Sequence, residues 1–174
     1  VAMTIDVSGN VGIGDTPSAW AGSSTALQIG SLALEDYAVA GANVSAFYNN
    51  AFRNASGNIV YTETDFASSY AQYNGEHIFK VAPSGSADAT ISFVEAMRID
   101  SSGNVLVGHT LADVDTLVDD NAVGICLKSN GEILASSTAT PMTLERENSP
   151  GDIIEFRKDG ATVGSIGANS SAPY

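Results

Sequence analysis

Apolar and polar residues alternate in short runs along most of this chain, and Gly, Asn and Ser punctuate the runs. Met97 and Ile99 precede Ser102-Gly103-Asn104, and Val105 and Val107 follow it. A period of two on both sides of a turn former predicts two strand arms joined tightly, with Gly and Asn accepting positive φ. The chain opens with nearly the same words. Over Ala2–Thr16 and Ala96–Thr110, ten of fifteen positions are identical at an offset of 94 residues. That offset exceeds the ~20–50 residues of ordinary solenoid repeats, so it points to a module recurring along something long. A lone hairpin is marginal in water, and each copy needs cover for its apolar face.

Between the repeats the same grammar continues. Thr16–Thr25 is a connector rich in small residues whose Trp20 is expected to pack on a neighbour, and Ala26–Gly30 predicts a short strand. Leu32–Val39 predicts one or two helical turns. Val44–Tyr48, Ala51–Arg53, Ile59–Thr62, Tyr70–Tyr73, His77–Val81 and Thr90–Phe93 predict strands, with turns at Asn49-Asn50, Ser56–Asn58 and Asn74-Gly75 and a corner at Pro83–Gly85. Beyond the second repeat, Leu111–Asn121 reads as an acidic loop or one helical turn. Val123–Leu127 and Glu132–Ala135 flank Asn130-Gly131, and Ile153–Arg157 and Ala161–Gly167 flank Asp159-Gly160, each pair predicting a hairpin. The fold class is therefore mainly β, built of short antiparallel hairpins in sandwich-like or prism-like modules. Three segments follow: a hairpin repeat and connector over 1–23, a central β module over 24–110, and a C-terminal hairpin module over 111–174.

Charge narrows the partners. Seven basic residues face twenty acidic ones, a net charge of −13, and such a chain repels nucleic acid and anionic membrane surfaces. No apolar run reaches the ~18 residues of a spanning helix, so membrane insertion is not expected. Cys126 is the single cysteine, which excludes an intrachain disulfide and a thiolate cluster and reads as a small buried apolar residue. Val1 lies inside the repeated motif, so the sequence reads as a piece of a longer polypeptide.

Three blocks carry a resemblance: Met97–Val105 with Val107-Gly108 following, Tyr73–Gly85, and Gly151–Gly167. Together they resemble the distal part of tail fibre proteins of tailed bacteriophages. The resemblance implies a structural virion protein of the tail fibre, an intertwined homotrimeric fibre that contacts other tail proteins and attaches to a glycan or protein of the host surface. In many relatives a self-cleaving intramolecular chaperone follows such segments, and nothing in this chain matches one. The first repeat keeps Gly12-Ile13-Gly14 where the second has Leu106-Val107-Gly108. A polysaccharide-degrading tailspike module and a capsid decoration fibre are the alternatives. Physical reasoning leads the same way: thin β modules have too little interior to hide Phe47, Tyr48, Phe52, Phe79, Phe93 and Phe156 one chain at a time, so an isolated monomer is expected to be unstable.

Candidate chemistry is sparse. Asp113, Asp115, Asp119 and Asp120 suggest hard-cation ligands, but the Gly and closing Glu of a calcium loop are missing, and a solvated connector is the expectation. Glu145, Glu147, Asp152 and Glu155 invite comparison with a glycosidase pair, yet alternation over Ile153–Lys158 puts the charges on the outward side of a strand. His77 and His109 have no partner at ligand spacing; one histidine from each of three chains about an axis is the alternative. Gly12-Ile13-Gly14 lacks a dinucleotide fingerprint, and no nucleophile elbow occurs. The chain is thus expected to be no enzyme, with no catalytic residue, no metal and no cofactor, and its receptor-binding residues are left open. Among Tyr37, Phe47, Tyr48, Phe52, Tyr61, Phe66, Tyr70 and Tyr73, the Phe residues are expected in the core, while the Tyr residues suit either core or recognition.

Overall fold

The structure is a computed structural model that describes residues 2–39, 42–110 and 123–168. Two compact units are present, residues 1–137 and 138–174. The first is built on one eleven-stranded sheet whose spatial order follows the chain with a single interruption. β1 (Met3–Ile5) and β2 (Val11–Ile13) form the first repeat hairpin, and β3 (Ser24–Ile29) lies parallel to β2. β4 (Leu32–Val39) and β5 (Ala42–Asn49) continue antiparallel. The chain then leaves the sheet as the hairpin β6 (Ala51–Arg53) and β7 (Ile59–Tyr61). It returns as β8 (Asp65–Tyr73), β9 (Glu76–Gly85), β10 (Val94–Ile99), β11 (Val105–Val107), β12 (Gly124–Leu127) and β13 (Ile133–Ser136). The short edge strands β1 and β13 limit edge-to-edge pairing with other chains. In the second unit, β14 (Gly151–Lys158) pairs with β15 (Ala161–Ala168).

The core lies under one face of the sheet. Ala26, Ala33, Ala46, Ala67 and Ala82 project from that face, and their small side chains let the β6–β7 hairpin come close. Trp20, Tyr48, Phe52, Val60 and Tyr61 fill the space, with Ile91 beside them and Phe93 partly buried against the cluster. Trp20 meets Phe52 edge to face, ring centroids 5.8 Å apart, the arrangement that aromatic quadrupoles favour. Asn50 holds the neck of the excursion. Its φ is 56°, and its buried side chain accepts from the Glu63 N–H and donates to the carbonyls of Glu63 and Phe66.

Several expectations change. Leu32–Val39, expected as helical turns, is strand β4, because it pairs along its length with β3 on one side and β5 on the other; two-sided pairing overrides a weak local preference. The corner expected at Pro83–Gly85 is instead a continuation of β9. Ala67 pairs with Ala82 and Asp65 with Gly85, so Pro83 and Ser84 together face Phe66 in a bulge, where the missing N–H of proline is tolerated. Thr90–Phe93 forms no regular strand; Thr90 makes one bridge to Val60, and the Ile91 N–H donates to the Ile59 carbonyl. The segment 111–122 falls outside the described residues. β12 and β13 extend the main sheet by pairing with β11, and the division between units lies at 137/138 rather than at 110/111. Asn74-Gly75 and Asp159-Gly160 have positive φ at both positions, the type I′ hairpin geometry expected of them.

Candidate interaction surface

The opposite face of the sheet carries no covering layer among the described residues. Residues paired across neighbouring strands share a face, so the register can be followed from edge to edge. It reads Ile5, Val11, Leu27, Leu34, Phe47, Tyr70, Phe79, Met97, Val107, Ile125, Ala135, one residue from each of the eleven strands. All are apolar apart from the Tyr70 hydroxyl. Leu34, Phe47, Phe79, Val107 and Ile125 each leave 40% or more of their surface exposed. Beside this rung, on the side of the tight turns, runs a mostly polar one: Thr25, Asp36, Ser45, Gln72, His77 and then Ile99. Over β2–β8 the face is concave and forms a trough of about 480 Å³ floored by Leu27, Leu34, Phe47 and Tyr70.

On this face Tyr70 and His77 are stacked with ring centroids 6.0 Å apart, and the Tyr70 hydroxyl meets His77 Nδ1 at 2.5 Å. Gln72 donates to the same hydroxyl at 3.1 Å, and the Phe79 ring packs against Tyr70 with centroids 4.9 Å apart. His77 is thus an exposed strand residue; His109 lies half-buried after β11.

A polar network on the covered face fixes the sheet beneath the trough. The Glu35 side chain is fully buried and accepts from Ser24 Oγ at 2.5 Å, Tyr48 Oη at 2.8 Å and Arg53 Nε at 3.0 Å. The Arg53 guanidinium sits 4.0 Å from the centre of the Tyr37 ring, a cation–π contact. Burial, and then the Glu35 charge, push the Tyr48 phenol well above its ordinary range. Farther along the same face Arg98 bridges Glu95 at 2.5 Å and Glu76 at 3.1 Å. The hydrogen bond to Glu95 is the main cause that raises the Arg98 pKa.

The turns of the two repeats are superimposable in their bonding. The Asp6 carboxylate accepts from the N–H groups of Ser8 and Asn10 and from Asn10 Nδ2; Asp100 does the same for Ser102 and Asn104. Asp6 is held below the usual carboxylate range, first by the Asn10 side chain. At Asp100 burial works the other way, but the Asn104 side chain and three backbone N–H groups outweigh it. Gly9 and Gly103 take the positive φ, as expected. The Asn residues do not, contrary to expectation, because their side chains reach beyond the turn. Asn10 Oδ1 accepts from the Ala26 N–H and Asn104 Oδ1 from the Ser129 N–H, tying each turn to the next strand layer. Asn54-Ala55-Ser56-Gly57-Asn58 folds with the same backbone bonds and an amide oxygen in place of the carboxylate. Lys128–Glu132 repeats the backbone pattern with an ion pair of 3.0 Å. The spacing Asp/Asn-x-Ser-Gly-Asn is the signal that finds the third copy.

The remaining candidates are scattered. Asp113, Asp115, Asp119 and Asp120 lie outside the described residues. Glu145 and Glu147 are exposed in an irregular stretch. Asp152 and Glu155 sit on β14, each engaged by a neighbour on β15: Ser165 donates to Asp152 and Thr162 to Glu155. Among the described residues no group of three or more potential metal ligands occurs, and no helix is long and apolar enough to cross a membrane. Cys126 is buried, as expected, and burial pushes its thiol up.

No protein-family model matches this sequence, and no curated protein or solved structure is significantly similar to it. The surface must therefore be read from its own chemistry.

The Phe residues divide. Phe52 is in the core and Phe93 lies against it, whereas Phe47, Phe66, Phe79 and Phe156 are exposed. Of the Phe residues expected in the core, Phe52 is there and Phe47 and Phe66 are not; Phe47, Phe79 and Phe156 stay uncovered within one chain, as the reasoning from thin modules expected, whereas Tyr48, Phe52 and Phe93 do not. Tyr48 and Tyr61 are buried. A single chain therefore does close a centre under one face of its sheet, which the reasoning from thin modules did not expect.

Proposed function

We propose that this chain is a segment of a homotrimeric tail fibre of a tailed bacteriophage, a structural and non-enzymatic virion protein that mediates attachment to the host cell. The observation that carries the reading is the apolar rung crossing all eleven strands of a face with no cover among the described residues. An apolar face of this length is far from what a soluble monomer exposes. Closed cyclic symmetry hides such a face without generating an open filament. Three like sheets about one axis bury their rungs against each other, and the net charge of −13 keeps a long fibre soluble. The resemblance of Tyr73–Gly85, Met97–Val105 and Gly151–Gly167 to tail fibre proteins supplies the biological setting. Attachment then works through threefold avidity, weak contacts acting together.

The test has three arms. Sedimentation equilibrium should give three times the chain mass at micromolar concentration, and a folded monomer there sinks the trimer. An antibody to this chain, followed by electron microscopy of the virion, should label tail fibres; label on the capsid sinks the tail assignment. Incubation with host polysaccharide should leave reducing ends unchanged while cell binding is retained, and their release sinks the non-enzymatic reading.

A further inference from the structure

The two repeats are the same hairpin in two settings. Met3 opposes Ile13 and Ile5 opposes Val11; Met97 opposes Val107 and Ile99 opposes Val105, position for position. In the first copy the Gly14 N–H donates to the Ala2 carbonyl and the Asp6 N–H to the Asn10 carbonyl; in the second, Gly108 donates to Ala96 and Asp100 to Asn104. Alternate residues close an antiparallel pair, so the N–H and C=O groups of Met3 and Ile5, like those of Met97 and Ile99, point away from their hairpin. In the second copy that outer edge is taken. β9 runs antiparallel along it, with Phe79 against Met97 and His77 against Ile99, and Met97 and Ile99 are half-buried. In the first copy no described strand lies there. β1 ends the sheet, and Met3 stays 58% and Ile5 61% exposed.

We propose that the outer edge of β1 accepts a strand, and that the occupant is an antiparallel strand of β9 chemistry carried by the same polypeptide ahead of Ala2. The proposal stands on the repeat and needs neither the trimer nor the host-attachment reading. Edge length selects a strand in cis. Met3 and Ile5 offer only two outward N–H and two outward C=O groups, and so short an edge captures little from solution. A strand tethered through a connection like residues 86–93, which join β9 to β10, is held at an effective concentration near the millimolar range. Side chains narrow the chemistry further. A large apolar residue in the place of Phe79 opposes Met3, and the residue in the place of His77 opposes Ile5. Thr4 stands where Arg98 bridges Glu76 and Glu95, so the occupant needs no acid in the place of Glu76. Each repeat is then a joint in a continuous sheet: β10 and β11 pass it from β9 to β12, and β1 and β2 pass it from the incoming strand to β3.

Hydrogen exchange read at single amides tests this on three chains. In the 174-residue chain, Met3 and Ile5 should exchange roughly tenfold or more faster than Met97 and Ile99; equal protection overturns the proposal, because the edge is then not open. The second chain carries an extra copy of residues 65–95 joined directly to Ala2, so that β8, β9 and the connection precede the first repeat as they precede the second. Its Met3 and Ile5 amides should slow roughly tenfold or more. The third chain has the same extension with Phe79→Pro and His77→Pro in the extra copy only. Proline offers no N–H to the Met3 and Ile5 carbonyls, so fast exchange should return. An extension that leaves Met3 and Ile5 exchanging as before overturns the proposal, and so does protection that survives the prolines. Met97 and Ile99 should stay protected throughout; their loss on extension also overturns it, since the added strand then prefers the edge that β9 already holds.

Discussion

Replacing Phe47 by Ala separates burial within one chain from burial between chains. In the single chain Phe47 keeps 43% of its surface exposed, about 85 Å² for a side chain of this size. At ~25 cal/mol per Å² that surface is worth roughly 2 kcal/mol when covered, and about 6–7 kcal/mol across three copies. Each ~1.4 kcal/mol is a factor of ten in an equilibrium constant. The trimer dissociation constant should therefore rise by between four and five orders of magnitude, on the order of 200-fold in the midpoint concentration, which varies as the square root for a trimer. Sedimentation equilibrium from nanomolar to hundred-micromolar chain reads that midpoint directly. The far-ultraviolet circular dichroism of the dilute monomer should be unchanged, because Phe47 is not part of the core cluster. A midpoint that does not move, or one that moves only because the monomer itself unfolds, refutes the reasoning. Phe52→Ala is the control: Phe52 is buried in the chain's own core, so its loss should cost about 3–5 kcal/mol of monomer stability.

Glu35→Ala should lower stability by about 3–5 kcal/mol in urea titration, because Arg53, Ser24 and Tyr48 all lose their shared acceptor and a largely buried cation is left unpaired. Asn10→Ala should cost more than Asn104→Ala, about 1–3 against about 1 kcal/mol, since Asn10 is buried and Asn104 only half-buried; amide exchange at Ala26 and Ser129 reads each separately. Acid should loosen the repeat turns. The folded pKa values of Asp6 and Asp100 are depressed, so their contribution is complete above the unfolded value near pH ~4 and disappears as pH falls through the folded values. Asp100→Asn should leave the turn intact at neutral pH, as Asn54 does in the third copy, and remove the Asp100 share of the acid dependence in exchange measurements from pH 2 to 5.

Most of the strands and their turns were legible in the sequence because the information is local. Alternation marks which residues share a face, and Asn74-Gly75 or Asp159-Gly160 dictates a turn whatever lies around it. What was misread depended on neighbours distant in the chain. Leu32–Val39 carries an ambiguous pattern that only pairing with β3 and β5 resolves. Asn10 and Asn104 looked like turn formers, but the strands beyond them supply the N–H groups they accept from. Phe52 and Phe47 stand five residues apart and have the same hydrophobicity; one is core and the other surface because the chain folds a hairpin back over one face only.

By itself, the sequence determined that this protein is a string of short strands and acidic overall, since composition and two-residue periodicity need no third dimension. Tertiary structure alone decided which apolar residues the chain covers for itself. It also aligned Leu34, Phe47, Phe79, Val107 and Ile125, drawn from distant parts of the chain, into one rung. The physical reason is register: a slip of one residue in any ladder would turn a strand's apolar set to the opposite face, and register is fixed by pairs that no local window contains.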